Sequence, residues 1–192
     1  MQTSFTAGLL AGGRSSRMGR DKAALEFEGE MLWQRQVRLL ESLNPSQLLI
    51  SGRPDGPYIG SSYKVIYDQH ADQGPLAGLA ALLRACVTPR LLVLAVDMPW
   101  MTSSVLKQML VHKGGVVIEH DGLWEGTAAV YPIEILSLVE DALAGPDHSL
   151  QSLIRRAKQA GLMETCRIPP AQADAFRSWN TPHPPDAPKK LS

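Results

Sequence analysis

The sequence predicts an α/β fold in three layers, with helices on both faces of a mostly parallel, twisted sheet. Three observations predict it. Strand-like and helix-like segments alternate along most of the 192 residues, a pattern that implies right-handed crossovers between parallel strands. Residues 91–96 are continuously apolar between Pro89 and Asp97-Met98-Pro99, as a central strand covered on both faces reads. Residues 5–10 form another strand-like run that ends in Ala11-Gly12-Gly13, so glycines fall where such sheets place their ligand-binding loops.

The elements follow in order. After the first strand, a loop rich in Gly, Ser and Arg runs to about Lys22. Residues 31–43 are predicted helical, because Leu32, Leu39 and Leu43 share one face with Trp33 and Leu40 beside them. Asn44-Pro45 stops that helix. Residues 48–51 and 64–67 are short apolar runs with β-branched or aromatic members, hence strands, and the Gly- and Pro-bearing stretch between them is loop. Residues 75–86 form a helix with Pro75 in its first turn. Thr102 or Ser103 caps a helix reaching His112. Residues 116–119 and 127–131 are two strands joined through 120–126, and helices follow at 132–144 and 149–160, with Asp147 or Ser149 as N-cap of the second. A last short strand is expected at 177–179. The division is a single domain over 1–181 and a tail over 182–192, whose Pro182, Pro184, Pro185 and Pro188 forbid a helix and predict mobility.

Composition narrows the function. The 19 Lys and Arg balance 19 Asp and Glu, so the net charge is zero, and a protein that coats a phosphate backbone would carry a basic excess. With 44% hydrophobic and 20% charged residues the chain is not disordered. At about 1.3 domain lengths it can bury roughly 70% of the surface its unfolded form exposes and needs no staple. The two cysteines, Cys86 and Cys166, have no metal-ligand spacing and read as thiols in a reducing compartment. The N-terminus lacks a basic and then apolar signal, and no apolar run approaches the ~18 residues of a membrane span. A soluble, cytoplasmic protein is expected.

Two loops carry the chemistry. Residues 10–22 hold four cations, Arg14, Arg17, Arg20 and Lys22, against one acid, Asp21. Glycines let backbone N–H groups approach an anion closely; Arg17 brings a planar fork and Lys22 a compact charge. The loop is neither a Walker A sequence, since Gly13 and Gly19 are one residue too far apart, nor the G-x-G-x-x-G fingerprint. A solvated turn with surface arginines is the plainer reading of its charge; the glycine pair at a strand end favours an anion site. Asp97 ends the most hydrophobic strand. Before Met98-Pro99 it could be a turn residue, but one carboxylate at a central strand's mouth also suits Mg2+, which takes one or two protein carboxylates and completes its shell with water and phosphate oxygens. Together the loops suggest a nucleotide–magnesium complex. Trp33 and Trp100 read as packing or pocket-wall aromatics, and Arg155, Arg156 and Lys158 as a solvated helix face that could also meet an anionic ligand.

The same residues carry a resemblance. Leu10–Lys22 matches L-A-G-G-x-S-x-R-M-G-x-D-K and resembles the signature of the molybdenum cofactor guanylyltransferase family, within the nucleotidyltransferases of Rossmann-like, glycosyltransferase-A-like fold. Val65-Ile66-Tyr67-Asp68, Gly74-Pro75-Leu76-Ala77-Gly78, Val96-Asp97-Met98-Pro99 and Trp179-Asn180-Thr181-Pro182 resemble further family elements in the same order. The resemblance implies transfer of GMP from GTP to molybdenum-bearing molybdopterin, with pyrophosphate released. It implies Leu10, Ala11, Gly12 and Gly13 contacting the nucleotide through backbone, Arg17 and Lys22 on phosphates, Asp68 and Gly78 lining the base and ribose pocket, Asp97 ligating Mg2+, and Asn180 facing the second substrate or the closing side of the pocket. Catalysis would rest with Lys22, Arg17 and Asp97. Partners would be GTP and molybdopterin, with synthesis or delivery proteins and apo-molybdoenzymes beyond them, and neither nucleic acid nor membrane.

The rivals are a CTP-dependent or other small-molecule nucleotidyltransferase and a nucleotide-binding delivery adaptor with little catalysis. Cytidylyl relatives usually read L-A-A-G and D-Q-P, so Gly12 and Met98 lean to guanine, and Gly12 leaves room for a purine. The chain departs from the family at Gly122-Leu123-Trp124-Glu125-Gly126-Thr127, where Arg and a His-Pro or Gln-Pro pair are usual, and at His183-Pro184-Pro185, where a terminal helix is usual.

Overall fold

The computed structural model describes residues 4–12, 21–67, 73–120 and 122–181. Gly13, Arg17, Asp68 and the 182–192 tail lie outside them. The described elements are strands β1 (Thr6–Leu10), β2 (Glu26–Phe27) and β3 (Glu30–Met31), helix α1 (Leu32–Glu41), β4 (Gln47–Gly52), β5 (Lys64–Tyr67), α2 (Pro75–Ala85), β6 (Arg90–Ala95), α3 (Ser103–Leu110), β7 (Gly115–His120), β8 (Leu123–Pro132), α4 (Leu136–Ala144), α5 (Leu150–Gln159) and β9 (Met163–Cys166). Seven of the strands form one sheet in the order β5-β4-β1-β6-β8-β7-β9, and β2 and β3 make a separate two-stranded hairpin.

β1 pairs in parallel with β4 and β6, β4 with β5, and β7 with β9; β8 alone runs antiparallel to both its neighbours. The mostly parallel sheet expected from the sequence is therefore present. Helices α2, α4 and α5 pack over one face, with α1 and α3 over the other. β6 is buried along its whole length, as its unbroken apolar run requires. Among the described residues no helix is long and apolar enough to cross a membrane, and both cysteines are free thiols.

Local chemistry sets most boundaries. Asn44 takes a left-handed conformation (φ +54°) and its N–H closes on Glu41 O at 2.9 Å, ending α1. Thr102 caps α3 by accepting from Val105 N–H, and Ser149 caps α5 by accepting from Gln151 N–H. Asp147 accepts from Ser149 N–H, and the Ser152 hydroxyl together with that bond holds its carboxyl below the usual range.

Four expectations need correction. β8 begins at Leu123, not near 127, because Gly122 (φ +77°) turns the chain straight back from β7. The helix expected at 132–144 opens with a 3-10 turn, Ile133–Ile135, before α4. No strand forms at 177–179: Pro170–Phe176 is a 3-10 helix, and among the described residues beyond it a single backbone bond, Trp179 N–H to Asp97 O, stands where a ladder was expected. The fourth is the place of the last strand, which is β9: it is short, follows the turn at Gly161 (φ +72°) and pairs with β7.

β8 carries an irregularity that bears on the site. Two steps along β7, Val117 to Glu119, are matched by five along β8, Ala129 to Trp124. Glu125, Gly126 and Thr127 therefore lie between the two registered stretches, and the strand bulges. The Tyr131 hydroxyl, fully buried, donates to Gly126 O at 2.6 Å and fastens the bulge; burial pushes that hydroxyl's pKa far up.

Candidate active site

The carboxyl ends of β1, β4 and β6 meet along one rim. Leu10 O accepts from Val96 N–H at 3.0 Å, and Ala11 N–H donates to Ser51 O at 2.8 Å. Strand pairing thus uses these groups, and Gly12 opens the loop beyond the ladder. A Cβ at Gly12 would lie 3.7 Å from Gly52 Cα, an ordinary contact, so the protein around Gly12 does not itself demand glycine. Gly78 is different: a Cβ there would come within 2.8 Å of Leu10 Cδ2 and 2.9 Å of Ser51 Oγ. The close approach of α2 to β1 and β4 requires it.

The chain re-enters at Asp21, whose side chain accepts from Ala23 N–H at 2.9 Å and caps the short 3-10 turn Lys22–Ala24. Ala23 is fully buried and pins the turn. Lys22 then reaches across the rim: its Nζ donates to Asp97 Oδ2 at 2.6 Å and to Asn180 Oδ1 at 2.5 Å. The Lys22 and Asp97 side chains are 17% and 16% exposed, so the pair is desolvated enough for its charges to act strongly yet open to a ligand.

Asp97 is held from three sides. Asp97 O accepts from Trp179 N–H at 2.7 Å, Met98 O from Gln36 Nε2 at 2.6 Å, and Pro99 O from Arg35 Nε at 3.0 Å. Three successive carbonyls of the turn after β6 are thus tied to α1 and to the C-terminal segment. Gln36, 1% exposed, sits within the apolar stripe Leu32, Trp33, Val37, Leu40. A polar residue in that stripe was the one signal the sequence offered for this brace, and it was missed.

A second omission is Arg53, just past the carboxyl end of β4. Its guanidinium makes a two-point pair with Asp55 (2.9 and 2.5 Å) and lies 3.9 Å from Asp21; the Asp55 partner raises its already high pKa. Beneath it Tyr58 is fully buried, its hydroxyl accepts from Arg53 N–H at 2.5 Å, and burial raises its pKa. The Tyr58 ring fills the space where Gly52 and Gly56 lack side chains.

Of the predicted site residues, the structure brings together Leu10, Ala11, Gly12, Lys22, Gly78, Asp97 and Asn180 on this rim. Trp100 is edge-on to Phe27 with centroids 4.6 Å apart, and Trp33 is edge-on to Tyr58 and Tyr63 at 6.4 Å each, so both are packing aromatics. Lys158 stands 5.0 Å over the Trp124 ring and bonds Thr165, and Arg156 pairs with Asp141 at 3.4 Å. Among the described residues no three of His, Cys, Asp and Glu converge as metal ligands. The Asp97 carboxylate is what the centre of the described rim offers a cation, the type of site that substrate oxygens complete.

A mostly parallel sheet whose rim brings together a glycine, a lysine and a strand-end carboxylate suits a nucleotidyltransferase, and the chain is one. A family model described as a MobA-like NTP transferase domain matches residues 7–161, and the chain belongs to that family. It is 33% identical over 186 residues to a probable molybdenum cofactor guanylyltransferase of Opitutus terrae, covering 94% of this chain and 92% of that one. It is 31% identical over 160 residues to a molybdenum cofactor guanylyltransferase of Pseudomonas putida, covering 80% and 84%. The crystal structure of molybdopterin-guanine dinucleotide biosynthesis protein A from Archaeoglobus fulgidus superposes with a TM-score of 0.73 at 23% identity, over 92% of this chain and 93% of that one; at that identity it speaks to the fold.

Proposed function

We propose that residues 1–181 act as one domain that transfers GMP from GTP to molybdenum-bearing molybdopterin, forming the guanine dinucleotide and releasing pyrophosphate. The observation that carries this reading is the Lys22–Asp97 pair, a cation from the first loop meeting a carboxylate from the central strand at 2.6 Å. The names of the Opitutus and Pseudomonas relatives supply the guanine and the pterin.

The chemistry suits the residues. An oxygen of the molybdopterin phosphate, ionised at neutral pH, bonds to the α-phosphorus of GTP while the bond to the bridging oxygen breaks. Pyrophosphate leaves with that electron pair. No proton has to be removed from the nucleophile, so no general base is needed. The protein's task is alignment and charge neutralisation. Lys22 leaves its carboxylate partner to bear on the phosphates, and Arg17 adds a second cation. Leu10, Ala11, Gly12 and Gly13 contact the nucleotide through backbone, with Gly12 the first described residue past the strand ladder. Asp68 and Gly78 bound the base and ribose side. Asn180 meets the second substrate. Asp97 would hold Mg2+, which when bound neutralises phosphate charge and orients the leaving group; the single carboxylate fits that ion's habit.

The test is pyrophosphate release with GTP, CTP and ATP, with and without Mg2+, in the presence of molybdopterin. GTP with Mg2+ alone should support turnover. Equal or better use of CTP would overturn the guanine assignment. Full turnover in the presence of a chelator would overturn the metal role of Asp97.

A further inference from the structure

The described segment after the last 3-10 helix, residues 177–181, pairs with no strand among the described residues, and yet it delivers a side chain to the centre of the site. Asn180 is exposed, and Lys22 is its hydrogen-bonding partner among the described residues. Chain ends of this kind ordinarily surrender such placement to conformational entropy.

The residue before it opposes that loss. Trp179 is 3% exposed. Its ring lies edge-on to Phe27 with centroids 6.2 Å apart, and Phe27 is in turn edge-on to Trp100, three residues past Asp97. Its indole N–H donates to Thr181 O at 2.8 Å, closing the backbone around Asn180. Its own N–H donates to Asp97 O at 2.7 Å. Three residues earlier, at the end of the 3-10 helix, Phe176 is 4% exposed and its ring lies 6.4 Å from that of His120. Trp179 is thus bonded to the residue on one side of the site and holds, as its chain neighbour, the residue on the other.

Lys22 joins these parts. It binds Asp97 and Asn180 at once. A polyphosphate would draw Lys22 from both acceptors, whereas the amide of Asn180 would keep its place only through Trp179.

We propose that Trp179 is a positioning residue for the transfer: it fixes the Asn180 amide at the Lys22–Asp97 rim so that the acceptor substrate is received in register with the nucleotide. Its substrates rest on the guanylyltransferase reading above; its geometry does not, and the experiment separates the two.

The first arm needs no substrate. The side-chain amide resonances of Asn180 are followed in the full chain by NMR. Lys22→Ala should shift them in the wild-type background and in Trp179→Phe, which keeps an aromatic edge against Phe27, and should leave them unmoved in Trp179→Ala. A Lys22-dependent shift that persists in Trp179→Ala overturns the proposal. The second arm is kinetic. Trp179→Ala should raise the KM for molybdopterin or lower kcat about as much as Asn180→Ala, tenfold or more, while the Kd for GTP with Mg2+ stays within about threefold. The double variant should be no worse than Asn180→Ala alone, because both remove one interaction. Multiplying losses, or a GTP affinity that falls as far as the acceptor step, overturn it. Should Trp179→Ala melt below the assay temperature, Trp179→Leu carries the same comparison: it keeps apolar bulk but loses the indole N–H and the ring edge. Wild-type protein that ignores GTP while the NMR arm behaves as stated refutes the guanine reading and leaves the positioning role standing.

Discussion

The two ends of the sheet are built differently. β5, β4, β1 and β6 are parallel throughout, in an unbroken register, and glycines let their backbones and α2 come close: Gly8 under Leu82, Gly78 under Leu10 and Ser51, Gly52 against Tyr58. β8, β7 and β9 mix directions and include a three-residue bulge. That bulged end is fastened by side chains reaching backbone. Tyr131 bonds Gly126, and Gln151 both accepts from Trp124 N–H and donates to Trp124 O. Close backbone packing sets the spacing of the first end. Long-range latches give the second a shape that depends on partners distant in the chain.

The sharpest break of this comparison is at the cation that closes the packed rim, Lys22, which holds Asp97 and Asn180. Lys22→Ala should cut GMP transfer by on the order of 10²–10³-fold, the usual cost of removing one preorganised charge donor, with a small change in melting temperature because the pair is partly exposed. Asp97→Asn should lower turnover more than GTP affinity, since the carboxylate organises the phosphates for transfer rather than anchoring the base. Pyrophosphate release and a GTP titration measure both. Equal losses in kcat and affinity would place Asp97 in ground-state binding instead.

What could be read from the sequence follows the same division. Residues 64–67 were legible to the residue as a strand, and the 91–96 run sits one residue beyond β6, because an apolar run with tight ends has few alternatives. Lys22 and Asp97 were legible as site residues because each lies in a local pattern at a strand's end. The bulge was not legible: nothing in Trp124-Glu125-Gly126-Thr127 announces that Tyr131 will reach back for Gly126. β9 was missed because Met163-Glu164-Thr165-Cys166 has weak strand character and is recruited by pairing with β7. The β2–β3 hairpin was missed because two residues per strand leave no period to detect. Arg53 was hidden in a loop otherwise read as Gly and Pro punctuation. The braces of the Asp97 turn, Gln36 and Trp179, are tertiary and visible only once α1 and the C-terminal segment are folded against it.

Glycine substitution should separate the two halves next. A Cβ at Gly52 would lie 2.2 Å from Tyr58 Oη and 2.3 Å from its Cζ. That ring is fully buried and bonded to Arg53 N–H, so it has nowhere to retreat. Gly52→Ala should cost about 3 kcal/mol, the upper range for overpacking a core. A Cβ at Gly126 would meet Ile154 Cδ1 at 2.9 Å and Leu150 side-chain atoms at 3.1 Å. The Ile154 and Leu150 methyls can rotate away and Leu150 Cβ need give only slightly, so Gly126→Ala should cost about 1 kcal/mol. Denaturant melts rank the two, and the reverse order would mean that the bulge is the more rigid region.

The latch itself comes next in size. Tyr131→Phe keeps the ring and removes the donor, leaving Gly126 O without its partner in a buried place. The expected loss is about 1–2 kcal/mol. Because the bulge is its only target, GTP affinity should be unchanged while hydrogen exchange at 124–128 quickens. A uniform rise in exchange along β6 as well would show that the two halves unfold as one unit.

The smallest effect concerns charge on the packed half. Glu30, in the hairpin that follows Lys22, is hydrogen-bonded by Arg38 of α1, and that bond holds its carboxyl below the usual glutamate range. A folded-state pKa lower than the unfolded one means that folding favours the ionised form. The stabilisation is therefore complete above the ordinary glutamate pKa and is lost as pH falls through the lowered, folded value. Glu30→Gln should remove this acid-side slope and lower neutral-pH stability by the same small amount, since the Arg38 side chain is 66% exposed and exposed pairs contribute little. Melting curves across the acid range, repeated in high salt, check it. A clear loss at neutral pH would mean that the hairpin depends on this pair and that backbone packing alone does not hold this half.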